Sequence, residues 1–318
     1  MIKDGIINIY KPQDWTSHDV VSLLRRVTGQ RRTGHTGTLD PMATGVLPVC
    51  FGPATRIMDY LDLDFKTYEC TMQLGLVTDT LDIWGETLEN KDFSHVTEEA
   101  VREAVASFNG HISQVPPKYS AIKVAGRKLY DYARAGEEVE IRPREVYIKD
   151  IDLTGYIPDE GVLSFRCICS KGTYIRSICR DIGDMLGCGG AMSSLERTAS
   201  GRFTLETAVD IESLRNADIE EIEKLIYPVD YPLIHFGEAT VNAAGAKWFV
   251  NGGWLEPRRV RVTEAPEFEK KNSEFPIKEL YRKMYNIYEL KDGRNVFLGT
   301  AYYDKEEKMY RPDKIFQR

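Results

Sequence analysis

The stretch that decides the fold spans residues 34–49 and reads GHTGTLDPMATGVLPV. Three glycines and a proline within residues 34–45 favour a chain that turns sharply and lets a ligand approach its backbone. The apolar run that follows predicts a buried strand over Gly45–Phe51. Asp40 is therefore expected in a loop at the edge of that strand, where a rigid scaffold exposes a carboxylate to a cleft. An isolated Asp-Pro pair is more often a plain turn, and the residue order of a phosphate-binding loop is absent.

Patterns on either side of this stretch predict mixed α and β structure. Before it, Gly5–Tyr10 alternates like a strand, and Ser17 is a good N-cap for a helix that ends at Gly29. After it, Pro53 suits the first turn of another helix. Further strands are predicted at Phe65–Leu74, Glu145–Leu153 and Val162–Cys169, the last two as an antiparallel pair. Further helices are predicted at Glu98–Phe108, at Lys128–Arg134 and after a cap at Thr173.

A change in composition near residue 232 predicts a second unit. Two prolines follow an acidic stretch there, and the rest of the chain is typical of short strands around a charged insert, Glu264–Glu279, that we expect to be a surface loop. The fold class is therefore predicted as α+β. A catalytic domain over residues 1–232 would have a mixed or mainly antiparallel sheet flanked by helices, and a smaller β-rich domain would span residues 233–318.

The chain is acidic overall, with a formal charge of −7 at pH 7, which opposes binding to phosphates. The charge is uneven, because Met1–His35 and Lys118–Arg134 are basic whereas Glu206–Asp230 is acidic. One basic face and one acidic face would suit a protein that binds RNA, although solvated surfaces give the same pattern. Charge alone does not decide the class of ligand.

Cysteine and histidine usage indicates no metal centre, because the six cysteines form no C-x-x-C pair and the five histidines are scattered. Dinucleotide and P-loop signatures are also absent, so we expect no cofactor. No apolar run approaches the ~20 residues of a membrane span, and the N-terminal residues lack the apolar core of a signal peptide. These features predict a cytoplasmic protein that does not bind membranes.

Five further segments carry motifs, in order along the chain. They are Lys11–Ser17, with Asp14 in a turn, Phe65–Tyr68, Pro117–Arg127, Gly172–Ser177 and Leu195–Thr198. Together with residues 34–49 they resemble the TruB family of tRNA pseudouridine synthases over about residues 5–210. Asp14 departs from the family pattern, which has Gly in that position. One such motif would be modest evidence, whereas an ordered set is a strong signal.

The resemblance implies catalytic roles. The family breaks the N1–C1′ bond of a uridine in RNA and rejoins the uracil through C5, and Asp40 would be the nucleophile. Arg176 would keep this carboxylate ionised, as a bidentate partner. Tyr68 would stack on the flipped uracil and assist proton transfer at C5. Attack at C1′, addition at C6 and formation of a glycal are all compatible with a carboxylate in this place.

The other implied contacts are with the substrate RNA. His35 would fill the space left by the flipped base, and Tyr174 and Leu195 would line the uracil pocket. The candidates for phosphate contacts are Lys11, Lys123, Arg127 and Arg134. Without the surrounding motifs, each of these residues would be assigned to an ordinary turn, core or surface position.

The resemblance implies an enzyme that isomerises the uridine at position 55, in the T-arm of tRNA, with no guide RNA or obligate protein partner. Residues 233–318 would form a PUA-like RNA-binding domain, or else a subdomain that caps the catalytic core. A guide-dependent synthase of the dyskerin type is one alternative, but the sequence shows no Lys-rich tail. A non-catalytic tRNA-binding factor is another, although binding alone would not require Asp40, Tyr68 and Arg176 together.

Overall fold

The computed structural model describes residues 2–270 and 277–317. Its first thirteen strands precede residue 205. They are β1 (Gly5–Lys11), β2 (Thr33–His35), β3 (Thr44–Phe51), β4 (Lys66–Leu74), β5 (Leu76–Thr78), β6 (Thr87–Asn90), β7 (Gly110–Gln114), β8 (Lys123–Val124), β9 (Arg127–Lys128), β10 (Arg144–Ile157), β11 (Val162–Cys169), β12 (Gly190–Ser200) and β13 (Phe203–Thr204).

Nine of these strands form one sheet in the order β1-β3-β12-β4-β11-β10-β7, with β2 paired to β3 and β13 paired to β12. Every pair is antiparallel except β3 and β12, which run parallel. The strands β5 and β6 form a separate hairpin, as do β8 and β9. The predicted mainly antiparallel sheet is confirmed, and so is the antiparallel pairing of β10 with β11.

Helices cover one face of this sheet. The α-helices are α1 (Ser17–Thr28), α2 (Glu98–Ala106), α3 (Leu129–Arg134), α4 (Ile175–Met185), α5 (Ile211–Asn216), α6 (Ile219–Lys224) and α7 (Ala243–Val250). Buried residues of α1, α2 and α4 share one core with the sheet. Along β4, buried and half-buried side chains alternate, as expected when one face packs against helices and the other stays open.

Three local predictions need correction. The N-cap of α1 is Thr16 rather than Ser17, because Thr16 and Asp19 form a capping box. The residue before α4 is Tyr174, which makes no side-chain cap, and the hydroxyl of Thr173 instead donates to the Ser170 carbonyl at 3.0 Å. The helix predicted at Pro53 is present but has 3₁₀ geometry, over Gly52–Leu63.

The C-terminal part contains a five-stranded sheet, which confirms the predicted β-rich unit. Its strands are β14 (Gly237–Val241), β15 (Arg261–Glu264), β16 (Met284–Lys291), β17 (Arg294–Asp304) and β18 (Met309–Ile315), in the order β15-β14-β16-β17-β18. Leu233 and Phe236 pack in one apolar cluster with Ile6 and Val46 of the first sheet. The boundary between residues 232 and 233 remains a prediction. Residues 271–276 of the charged insert lie outside the described residues.

Short 3₁₀ helices complete the described chain: Pro158–Glu160, Leu205–Thr207, Pro257–Arg259 and Glu279–Lys283. Within residues 2–270 and 277–317, no helix is both long enough and apolar enough to cross a membrane.

The parallel contact between β3 and β12 depends on Gly45. This residue has a φ of 103° and faces Arg197 across the ladder. A Cβ at residue 45 would lie 2.3 Å from the Arg197 carbonyl oxygen, so only glycine lets the two backbones approach this closely. The contact between β12 and the start of β3, which follows the loop that carries Asp40 (residues 36–43, the Asp40 loop), therefore requires this glycine.

Gly45→Ala is expected to lower the free energy of unfolding by at least about 3 kcal/mol, because it combines left-handed backbone strain with a steric overlap. Gly29→Ala is the matched control, since Gly29 also has a positive φ, of 69°, but has no heavy atom within 4 Å of the added Cβ. The control should lose only about 1 kcal/mol. Urea denaturation measures both losses, and equal losses would contradict the role given to the contact.

Candidate active site

The loop before Asp40 is held by Ser17 at the start of α1. The Ser17 hydroxyl donates to the Leu39 carbonyl at 3.1 Å and accepts from the Leu39 amide at 2.9 Å. Leu39 is buried, whereas Asp40 is only partly buried. This pair of hydrogen bonds explains why Ser17 does not cap its own helix, and it fixes the backbone on which the Asp40 side chain is mounted.

Lys11 stabilises the same loop through hydrogen bonds to backbone carbonyls. Its ammonium donates to the carbonyls of Pro12, Trp15 and Pro41 at 2.9, 2.7 and 3.1 Å, and the residue is fully buried. Burial lowers the pKa of Lys11 to about 8, although the charge of Asp40 opposes this. The expectation that Lys11 contacts phosphate is therefore wrong, because its three donors are used inside the protein.

Asp14 occupies the turn where the family pattern has glycine. It adopts a φ of 64°, in the left-handed region that favours glycine and tolerates aspartate. Its backbone amide donates to the Pro41 carbonyl at 2.9 Å. Asp14 therefore keeps the turn although the family pattern has glycine there. This turn holds Pro41, the residue after Asp40.

Asp40 and Arg176 are in direct contact. Arg176 Nη2 lies 2.9 Å from Asp40 Oδ2, and the side chains are 6% and 34% exposed for Arg176 and Asp40 respectively. The guanidinium also donates to the Thr80 carbonyl at 2.9 Å and to the Tyr119 carbonyl at 3.0 Å. Arg176 therefore makes one contact to Asp40 rather than the expected bidentate pair. These three contacts hold the buried guanidinium of Arg176, and one of them is to the partly exposed carboxylate of Asp40.

A second carboxylate, Asp82, was not found by sequence reasoning. Its Oδ2 lies 3.5 Å from Arg176 Nη1, and its side chain is 1% exposed. Burial raises the pKa of Asp82, and the Thr80 hydroxyl and the charge of Arg176 oppose that rise. The local sequence offers no spacing signal for this residue, because it reaches Arg176 only through the fold of the loop between β5 and β6. Asp40 and Asp82 thus share one buried guanidinium.

Tyr68 lies on β4, opposite Cys167 of β11 and Arg197 of β12. It is buried, and burial raises its pKa to about 12, although the charge of Arg197 opposes the rise. Leu195, also predicted to line the pocket, is buried on β12. The phenol is therefore neutral near pH 7.

His35 and Tyr174 flank this region on separate elements. His35 ends β2, and burial, together with the charge of Arg197, lowers its pKa, so the imidazole is neutral near pH 7. Tyr174 stands just before α4, and both of its backbone groups bond the Gln114 side-chain amide, at 2.8 and 3.0 Å. Burial raises the pKa of the Tyr174 phenol.

The three other basic candidates lie on the hairpin β8–β9 and on α3. Lys123 and Arg134 are exposed, and Arg134 lies over the ring of Tyr130. Arg127 is bound to the Glu137 carboxylate at 2.8 Å and to the Asp131 carbonyl at 2.6 Å. A phosphate would have to displace Glu137 to reach Arg127.

Metal-ligating side chains do not cluster in the described part of the chain, where no group of three or more His, Cys, Asp or Glu residues could hold an ion.

Comparisons with known proteins identify the family of this chain. The family description "TruB family pseudouridylate synthase (N terminal domain)" matches residues 25–175, and "tRNA pseudouridylate synthase B C-terminal domain" matches residues 176–234. The protein named tRNA pseudouridine synthase B of Alkaliphilus oremlandii is 48% identical over 78% of this chain and 82% of its own length. That of Clostridium perfringens is 41% identical over 98% of both chains. The chain belongs to the TruB family.

As a member of this family, the enzyme is a tRNA pseudouridine synthase, an isomerase that converts uridine in tRNA to pseudouridine. Solved structures share the fold. A Cbf5–Nop10–Gar1 complex matches with a TM-score of 0.71 and 25% identity, over 98% of this chain and 85% of that one. An H/ACA RNP bound to a substrate RNA matches with the same TM-score and 24% identity, over 99% of this chain and 85% of that one.

Asp82→Asn is expected to lower the single-turnover rate of pseudouridine formation by roughly 10²-fold, because Arg176 loses the buried charge that orients it toward Asp40. Affinity for tRNA should change little, since the residue is buried. The matched control is Asp79→Asn in the same loop, where the carboxylate accepts from the Glu86 amide and makes no contact with Arg176. Equal rates for the two variants would contradict the role of Asp82.

Proposed function

We propose that this chain isomerises the uridine at position 55, in the T-loop of tRNA, with Asp40 as the nucleophile on a flipped-out base. The observation that carries the proposal is the pair formed by Asp40 and the buried Arg176. A carboxylate that is partly exposed and paired with a buried guanidinium is held in place and accessible to a substrate, as a nucleophile must be.

The side chains around Asp40 suit an extruded pyrimidine. Taking a base out of its stack costs a few kcal/mol, and stacking on an aromatic ring such as that of Tyr68 returns roughly 1–3 kcal/mol. In the proposed complex, Tyr174 and Leu195 line the uracil pocket, and the neutral His35 takes the place of the flipped base. Attack at C1′, addition at C6 and glycal formation all use Asp40 beside the same nucleotide.

Binding to the rest of the tRNA involves other surfaces in this proposal. Lys123, Arg127 and Arg134 contact phosphates of the T-arm, and residues 233–318 form an RNA-binding domain outside the active site. The enzyme acts in the cytoplasm without a guide RNA or an obligate protein partner. This part is supported by the exposed positions of Lys123 and Arg134 and by the tRNA-specific name of the relatives.

The test is a turnover assay with the purified chain and an unmodified tRNA transcript, in which carbodiimide mapping locates any pseudouridine. We expect conversion at a single T-loop uridine and a loss of at least roughly 10⁴-fold in Asp40→Asn, which keeps the shape but removes the charge. Asp92→Asn is the control, since Asp92 is exposed and bonds only its own turn, at Ser94.

Two results would contradict the proposal in different ways. A folded Asp40→Asn variant with wild-type activity would remove Asp40 as the nucleophile. Binding of tRNA without conversion would favour either a guide-dependent enzyme or a binding factor. The guide-dependent alternative has some support, because the solved structures that share the fold include the H/ACA RNP. Conversion of bare tRNA would exclude both alternatives.

A further inference from the structure

A second buried arginine, Arg197, lies beneath the loop that carries Asp40. It is fully buried on β12, and Tyr68 is its register partner on β4. Its Nε donates to the Val46 carbonyl at 2.7 Å, and its Nη2 donates to the Gly37 carbonyl at 3.1 Å. Two of the three nitrogens of the guanidinium therefore hold the backbone on either side of Asp40.

The third nitrogen, Nη1, is buried and has no hydrogen-bond acceptor among residues 2–270 and 277–317. It lies directly beside Gly37, since a Cβ there would be 3.5 Å from Nη1. A buried charged donor without an acceptor is unfavourable, so its presence needs an explanation beyond packing. The charge of Arg197 acts on several neighbouring groups, and at the phenol of Tyr68 it opposes the rise in pKa that burial causes.

Two buried cations, Lys66 and Arg197, lie on the same face of the sheet as this phenol. Lys66 precedes Tyr68 by two positions on the same face of β4, and burial, together with the charge of Arg197, lowers its pKa to about 8. The charge of Asp64 opposes the lowering of the Lys66 pKa, and burial raises the pKa of Asp64 itself to about 6. Cys169 pairs with Lys66 in the ladder, and the pKa of its thiol is lowered by hydrogen bonds to Cys167 and Thr173 and by the two cations. The charge of Arg197 opposes the rise in the pKa of Tyr68 that burial causes, whereas the Cys169 thiol adds to that rise.

We propose that Arg197 is a positioning residue for the isomerisation, whose charge lies opposite Tyr68 in the ladder and stabilises the negative charge that develops on the Tyr68 oxygen during proton transfer. The inference rests on the proposed function, in which Tyr68 assists proton transfer to and from the uracil ring. Arg197 suits the task because a guanidinium keeps its charge throughout the working pH range.

The proton transfer balances without a co-reactant. The conversion of uridine to pseudouridine removes one proton from C5 and adds one proton to N1. A phenol that gives its proton to N1 recovers one from C5, so the O–H bond that breaks is re-formed and the electron pair of the C–H bond returns to the ring. Between the two transfers the tyrosine oxygen carries the negative charge that Arg197 faces.

A double-mutant cycle tests the inference through the single-turnover rate on a T-arm transcript. We expect Tyr68→Phe to lower this rate by roughly 10²–10⁴-fold and Arg197→Gln by roughly 10²-fold. In the Tyr68→Phe background, Arg197→Gln should add less than about threefold, because no hydroxyl remains to be stabilised. Losses that multiply would show two independent roles and would overturn the proposal.

Arg197→Lys separates charge from anchoring of the loop. The lysine keeps the cation, whereas the glutamine keeps donors for the Gly37 and Val46 carbonyls but has no charge. We expect the lysine variant to be at least about tenfold faster than the glutamine variant. Equal rates for the lysine and glutamine variants would mean that Arg197 only holds the backbone of the loop. The control is Arg202→Lys, since Arg202 is exposed and donates to the Tyr231 carbonyl at 3.1 Å.

Thermal unfolding of every variant accompanies the rates. If Arg197→Gln does not fold, the cycle is run with Arg197→Lys, which should lose less but must still couple to Tyr68→Phe. A wild-type rate in Asp40→Asn or Tyr68→Phe would reject the proposed function itself. A large effect of Tyr68→Phe together with uncoupled Arg197 variants would reject only the role of Arg197.

Discussion

The backbone of the Asp40 loop is irregular yet lies against the protein interior, so its carbonyl oxygens must find donors that are not part of a regular helix or sheet. Two buried cations supply them. Lys11 bonds the Pro41 carbonyl and Arg197 bonds the carbonyls of Gly37 and Val46. Because these side chains come from β1 and β12, closure of the sheet around β3 is what places Asp40. The position of Asp40 therefore depends on the nine-stranded sheet.

Sequence patterns predicted the elements whose period is visible locally. The alternation along β4 and the apolar run of β3 gave the correct strands, since each has one face or both faces buried. β12 was not predicted, because its sequence GAMSSLERTAS is rich in small and polar residues although it lies between β3 and β4. The cap assigned to Ser17 failed for a related reason: its hydroxyl serves a tertiary contact, which no local rule can anticipate.

The site was predictable only where a motif carried the information. The family resemblance brought Asp40 and Arg176 together correctly, but it could not show that the arginine divides its two ends between Asp40 and Asp82. Lys11 was assigned to phosphate because a lysine beside a motif is usually exposed, whereas here three carbonyls enclose it. Burial of a charged side chain depends on contacts distant in sequence. The motif Leu195–Thr198 therefore gave no indication that Arg197 is a buried cation beneath the loop that carries Asp40.

The charged side chains of the site form two groups, one mainly negative and one positive, and this arrangement fits the proposed reaction. Breaking the bond between N1 and C1′ leaves positive charge on the ribose and negative charge on the uracil. Asp40 and the buried Asp82 outnumber Arg176, which suits the ribose side, whereas Lys66 and Arg197 lie around Tyr68, which suits the base. Fixed charges that match both developing charges lower the barrier without reorganisation. A chain with a net charge of −7 can therefore act on RNA, because local fields rather than total charge meet the reacting nucleotide.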